Sequence, residues 1–350
     1  MKSIFDKICE FLGSNQQGML ATIVWTSGST PAPAQSKMLL DTNGNRIAGT
    51  IGGGCVEDAI MRRCAALEDK QHGVIMDFEL NDDEAESGLI CGGTLKVLLE
   101  PINQLQLEIY KSIATRYNTG LESVLVTQLI PDGKITKSLL DESFNILSGN
   151  LENISIIPKT ILEKYDPVLQ NIGGSTYITE PIEGRLPLFI FGGGHVGKAI
   201  TKFSSLLGFN VTVVDDRIEF ANRNIQPDAD EVICLPFRNI SEILEISNSA
   251  FVVIVTRGHR YDELVLEQII QFKPKYIGMI GSKRKVLVAF QHLIQKGVNE
   301  ASLKQVFAPV GLNIGSISVE EIAVSIVAEM IKVKRKGIES NPSEHKKLPE

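Results

Sequence analysis

The chain has 350 residues, enough for two domains with a core each. Hydrophobic residues make up 43% and charged residues 22%, the balance of an ordinary globular protein. A net charge of −7 excludes a general nucleic-acid binder, and no apolar run approaches the ~18 residues that span a bilayer.

The N-terminal "MKSIFDKICEFL" is broken by Asp6 and Glu10, which excludes a secretory signal. It predicts an amphipathic helix capped by Ser3, with Ile4, Ile8 and Leu12 on one face. Strands are expected over 19–28 and 36–40, and the Asn-Gly turn in "DTNGN" (41–45) leads into "RIAGTI" as a hairpin. A helix follows Cys55 to about Leu67, with Val56, Ile60, Cys64 and Leu67 as its stripe. Strands at 74–78 and 94–100 flank the acidic "NDDEAESG". Residues 101–185 hold a helix near 104–117 and a strand at 123–130, with no repeat and no chemistry. Residues 1–185 thus read as a smaller α+β N-terminal domain.

From Pro187 the pattern changes. Six apolar runs (187–191, 211–215, 231–235, 251–255, 275–280 and 305–308) alternate with helical segments near 195–207, 217–223, 240–247, 262–272 and 283–296. Continuous Val/Ile-rich strands separated by helices predict an α/β domain over 186–335, a Rossmann-like doubly wound parallel sheet covered on both faces. "SVEE" supplies a capping box from Ser318 and Glu321 for a last helix with Ile322, Ile326 and Met330 on one face. The polar tail 336–350 is expected to be flexible.

"FIFGGGHVGKAI" fits G-x-G-x-x-G through Gly192, Gly194 and Gly197, between a strand and a helix. Gly192 would make the turn, Gly194 would let backbone approach a pyrophosphate, and Gly197 would allow close helix packing. Asp215 ends the second strand, where a carboxylate takes a ribose diol. Arg257, His259 and Arg260 follow strand four; Ser282, Lys283, Arg284 and Lys285 follow strand five. Cations in a helix's first turn oppose its dipole by ~0.3–1 kcal/mol each, a cost that a nearby anion offsets. The crevice is expected at the ends of strands one and four, with a solvated basic patch as the alternative. His195 and His259 read as structural or ligand-bonding groups, since no metal-ligand spacing accompanies them. The expected ligand is a nucleotide, NAD(P) or another, and an NAD(P)-dependent oxidoreductase is one functional reading.

"IAGTIGGGCVEDAIM" sets Gly52, Gly53 and Gly54 before Cys55 at the start of a helix. One reading is a tight turn ending in a small core residue. The other is bare backbone that holds an anion beside a thiol poised by the helix end, opposed by Glu57 and Asp58. "LICGGT" gives a second glycine-flanked thiol, Cys91, while Cys9, Cys64 and Cys234 read as core. Five scattered cysteines with no zinc or iron–sulfur spacing predict no metal site and a reduced, cytoplasmic setting.

The segments "GSTPAPAQSKMLL", "IGGGCVEDA", "CGGTLKVLLEP", "FIFGGGHVGKAI", "VVDDRIEFAN", "YIGMIGSKRK" and "APVGLNIGSISVEEIAVSIVAEMI" together resemble the XdhC/CoxI family. The resemblance covers about residues 10–100 and 187–333. It implies an accessory protein that binds the molybdenum cofactor (molybdopterin), assists its sulfuration and delivers it to an apo molybdenum hydroxylase of the xanthine dehydrogenase type. It excludes that enzyme itself, since the chain is far too short and has no cysteine clusters for iron–sulfur centres. A cysteine desulfurase as second partner and a homodimer are further expectations, with no nucleic-acid or membrane partner. The chain departs from the family pattern at Ala32 (usually basic), Gln35 (usually glycine) and Arg257 (usually histidine).

Overall fold

The structure, a computed structural model, describes residues 2–67, 71–80, 92–151, 154–164 and 166–336. The acidic segment 81–88, Cys91 and the tail from 337 lie outside the described residues. The chain divides into two compact units, Lys2–Gly184 and a second that begins at Arg185, so the N-terminal unit is not the smaller one.

In the first unit, Ser3 and Asp6 form a reciprocal cap on α1 (Ile4–Gly13). β1 (Gly18–Ser27), β2 (Lys37–Asp41), β3 (Arg46–Gly49), α2 (Gly54–Ala66), β4 (Val74–Glu79) and β5 (Thr94–Ile102) follow. Their strands form an antiparallel sheet in the order β3-β2-β1-β5-β4. The same arrangement then recurs. α3 (Leu107–Asn118) precedes β6 (Ser123–Leu129), β7 (Ile135–Leu140), β8 (Ile146–Gly149), a short α4 (Lys159–Leu162), β9 (Val168–Ile172) and β10 (Ser175–Ile182). The second sheet has the order β8-β7-β6-β10-β9.

The expectation that 101–185 holds no repeat is therefore corrected. Leu20 faces Leu39 across β1–β2 as Leu125 faces Leu139 across β6–β7. Asp41 accepts the backbone N–H of Asn45 at one hairpin, and Asp141 accepts that of Asn145 at the other. Leu20, Leu39 and Ile102 share one buried cluster with their counterparts Leu125, Leu139 and Ile182, closed by α1 and α3. Buried charges cross between the copies: Lys37 pairs with Glu180, and its counterpart Lys137 pairs with Glu100 at 2.7 Å.

In the second unit, β11 (Pro187–Phe191), α5 (His195–Leu206), β12 (Asn210–Asp215), β13 (Glu231–Cys234), α6 (Ile240–Ile243), β14 (Phe251–Ile254), α7 (His259–Ile269), β15 (Tyr276–Met279), α8 (Lys283–Gln295), α9 (Glu300–Leu303) and α10 (Val319–Lys336) build an α/β layer fold. The sheet is parallel, in the order β13-β12-β11-β14-β15. Alternate residues serve opposite faces. Leu188, Ile190, Val213 and Val253 pack with Ile200, Ile326 and Met330 of α5 and α10. Phe191, Val214, Val252 and Ile254 pack with Val265, Ile269, Val286 and Leu293 of α7 and α8. The Ser318–Glu321 capping box forms as expected, with N–H bonds of 3.2 and 2.9 Å.

Four expectations fail here. The sixth run, 305–308, adds a single parallel bridge from Phe307 to Gly278 in place of a strand. Residues 217–223 form turns, because the carboxylate of Asp215 and the amide oxygen of Asn222 take the N–H groups of Arg217, Asn224 and Ile225. The helix expected over 240–247 is four residues long. Cys234, read as core, is exposed on the edge strand β13.

Candidate functional site

In the first sheet, the ends of β1, β3 and β4 and the starts of β2 and β5 lie at one edge, so three connections gather there. They are the segment 28–36, the GGGC stretch leading into α2, and the segment 80–93. In the second copy the counterparts are reduced. Segment 130–134 replaces 28–36, Gly173–Gly174 replaces 80–93, and α4 has 4 residues where α2 has 13. One copy of the duplication has been elaborated at this edge, and it is the copy that carries Cys55.

Gly52, Gly53 and Gly54 all have left-handed φ, at 111°, 78° and 65°, a run that side chains resist. A Cβ at Gly52 would come within 2.7 Å of Pro31, while Gly53 faces open space. Gly93 lies against the backbone of Ser27 and Ser29. The segment 28–36 thus touches both the Cys55 loop, at Gly52, and Gly93.

Glu57 changes the meaning of the loop. Its carboxylate turns back to accept the N–H groups of Ile51 (3.0 Å) and Gly53 (3.1 Å) and the hydroxyl of Thr50. Arg46 sits 3.2 Å from its other oxygen. Of the glycine N–H groups expected to cradle an external anion, that of Gly53 is therefore taken by the chain's own carboxylate, together with that of Ile51. Cys55, in the first turn of α2, is half-buried and packs on the apolar cluster that includes Ala32, Ile51 and Ile60.

In the second unit, Gly192 turns at φ 115° and Gly197 lies against the carbonyl of Gly192, so both glycines serve close packing. Gly194 faces open space and caps α5 without a side-chain bond. Asp215 is 1% exposed and fully engaged: it accepts the N–H of Gly193 at 2.8 Å and the side chain of Arg217 at 3.0 Å. Gln226, also buried, donates to the carbonyl of Gly193 at 2.7 Å. Arg257 pairs with Asp216 at 2.9 Å and with the Tyr261 hydroxyl at 2.8 Å. Since β12 and β14 flank β11, the Asp216–Arg257 pair joins the loops on either side of the glycine loop.

A cavity of about 210 Å³ opens between the ends of β14 and β15, lined among others by Thr256, Arg257, His259, Asp262, Gly281 and Lys285. Of the basic run after strand five, Lys285 reaches this lining; Ser282 caps α8, and Lys283 and Arg284 are exposed. His195 is exposed at the start of α5. Among the described residues no three His, Cys, Asp or Glu side chains are placed to hold a metal ion, and no helix is long and apolar enough to cross a membrane.

Comparison with known proteins supplies the kinship. Residues 11–79 match the family described as "XdhC and CoxI family", and residues 188–330 match the "XdhC Rossmann domain". The chain belongs to the XdhC/CoxI family. A Bacillus subtilis protein named as a probable xanthine dehydrogenase subunit is 27% identical over 331 residues, 93% of this chain and 96% of that relative. The Escherichia coli protein PaoD, named a molybdenum cofactor insertion chaperone, is 22% identical over 338 residues, 93% of this chain and 86% of its own length. A crystal structure of a Bacillus halodurans protein described as a xanthine dehydrogenase has a TM-score of 0.79 at 23% identity, covering 99% of this chain and 97% of that one, and shares the fold.

Two site residues of this XdhC/CoxI member escape a reading of motifs. Glu57 reads as a charge that repels the Cys55 thiolate, yet a Glu early in a helix that reaches back to backbone N–H groups is a capping device. Asp262 is one of two acids in "TRGHRYDE"; its position six residues after Thr256 is the one hint that it closes the strand-four turn.

Proposed function

We propose that this XdhC/CoxI protein binds the molybdenum cofactor as cargo and assists its insertion into an apo molybdenum hydroxylase of the xanthine dehydrogenase type. The observation that carries the reading is the one-sided elaboration of the duplicated first unit, where the three connections at this edge are longer in the copy that holds Cys55. The name of PaoD supports the class of cargo. Cys55 is the residue assigned to meet that cargo, near the open face of Gly53; Cys91 is assigned as its companion. Sulfuration of the cargo, with a cysteine desulfurase as sulfur source, a homodimeric state and a cytoplasmic setting belong to the same proposal. In the second unit the uncapped N–H groups of α5 beside Gly194, together with Arg257, His259 and Lys285, are offered to an anionic group of the cargo. The test is co-expression with a molybdopterin source. Purified protein that retains the pterin and activates an apo hydroxylase supports the reading; protein that retains none overturns it.

The glycine loop of β11–α5 keeps a second reading open, a nicotinamide-dependent oxidoreductase. Against it, a ribose diol at Asp215 would have to displace Arg217. Calorimetry with NAD and NADP separates the two readings: binding lost in Asp215→Ala, with substrate-dependent hydride transfer, would favour the oxidoreductase.

A further inference from the structure

We infer that Asp262 reads the 2-amino group of a heterocyclic ligand, on the 2-amino-4-oxo-pyrimidine edge that pterins and guanine share, in the cavity between β14 and β15. This deepens the cargo proposal and rests on it for the identity of the heterocycle.

Asp262 is 6% exposed, a depth at which carboxylates are normally paired. One oxygen, Oδ1, accepts the backbone N–H of Thr256 at 3.1 Å and its hydroxyl at 2.6 Å, which fixes the plane of the carboxylate. The other, Oδ2, takes no hydrogen bond among the described residues, although Asp262 lines the cavity. Burial pushes the carboxyl up to about 6, against the bonds from Thr256, so at neutral pH it is an ionised acceptor with unused capacity. This oxygen opens to the cavity, and a ligand that closes over it must bring a donor or leave it unbonded.

The surroundings restrict those donors. Lys285 lines the same cavity, and so do Arg257 and His259 at its mouth, so an amine cation or a metal ion would meet like charge. Neutral N–H groups avoid that penalty. Met279, Val286 and Ala289 supply apolar walls, suited to the faces of a flat ring. An amino group beside a ring N–H presents two parallel donors, and with Oδ1 held by Thr256 it is the exocyclic amino group that takes Oδ2, while the basic side chains suit an anionic substituent on the same molecule.

The test uses the full chain and the intrinsic fluorescence of pterin and of lumazine, its 2-oxo analogue, with GMP and IMP as the guanine pair. Wild type is expected to prefer pterin to lumazine, or GMP to IMP, by about tenfold, the effect of one unmatched buried acceptor. In Asp262→Asn the amide oxygen still serves Thr256, so the fold is kept, but the amide now offers N–H toward the ligand. Pterin binding should weaken about tenfold and the pterin-to-lumazine preference should reverse. Preference for pterin or for GMP identifies which heterocycle carries the edge. Equal affinities for the paired ligands, ratios that Asp262→Asn leaves unchanged, or no binding of either amino compound to wild type overturns the inference. If purified protein nonetheless retains molybdopterin, only the role of Asp262 falls; absence of retained pterin overturns the cargo reading itself.

Discussion

The carboxylate of Glu57 accepts the backbone N–H of Gly53 at 3.1 Å, folding the first turn of α2 back onto the loop that precedes it. Burial pushes this carboxyl up, but the bonds from Thr50, Ile51 and Gly53 and the charge of Arg46 outweigh it and hold the group below the usual carboxylate range. A depressed carboxylate contributes stability that is present above its unfolded value and lost as pH falls through its folded value. Glu57→Gln should therefore cost about 1–3 kcal/mol at neutral pH, with the difference from wild type closing in acid. Thermal melts from pH 7 down to pH 3, with hydrogen exchange at Gly53, read both effects.

The exchanged pairs Lys37–Glu180 and Lys137–Glu100 lie inside the duplicated unit. Removing one partner strands a buried charge, whereas removing both leaves none. Lys37→Met alone should cost about 3–5 kcal/mol in urea unfolding, and Lys37→Met with Glu180→Leu should recover most of that loss. Equal destabilisation by the single and double variants would show that the pair's energy is not what its burial implies.

Gln35 holds a left-handed φ of 72° immediately before Ser36 and β2. For a residue with a Cβ this conformation costs roughly 1–2 kcal/mol, part of which glycine returns as unfolded-state entropy. Gln35→Gly should stabilise the chain by about 0.5–1 kcal/mol in equilibrium unfolding.

Much of this architecture can be read from residues, and what cannot has physical causes. The strand β11, the turn at Gly192 and the helix α5 follow from "FIFGGGHVGKAI", because each glycine answers a local steric demand. The duplication is harder to see, since its matched pieces have different offsets. Lys37, Leu39, Leu40, Asp41 and Asn45 recur as Lys137, Leu139, Leu140, Asp141 and Asn145, but Glu100-Pro101-Ile102 recurs as Glu180-Pro181-Ile182. The unequal loops that break the period are the ones that build the Cys55 edge. Asp215 is legible as the acid at the end of the second strand but its partner is not, since Arg217 competes with any ligand through a contact no motif encodes.

Asp262 gives a pH dependence of the opposite sign to Glu57. Its carboxyl is raised from 3.8 to about 6, chiefly by burial, so the folded state holds a proton that the unfolded state releases between those values. That contribution is complete below the unfolded value and is lost as pH rises through about 6, on the order of 3 kcal/mol across the window. Asp262→Asn should then be more stable than wild type at pH 7–8 and lose that advantage near pH 4. Chemical unfolding at the two pH values measures it.

Cys55, in the elaborated copy of the duplicated unit, is the residue proposed to meet the molybdenum cofactor. The direct measurement is the molybdopterin retained per chain after purification from a cofactor-producing host, for wild type, Cys55→Ser and the exposed-thiol control Cys234→Ser. The account predicts retention in wild type and Cys234→Ser and its loss in Cys55→Ser, with melting temperatures matched. Undiminished retention in Cys55→Ser would contradict it.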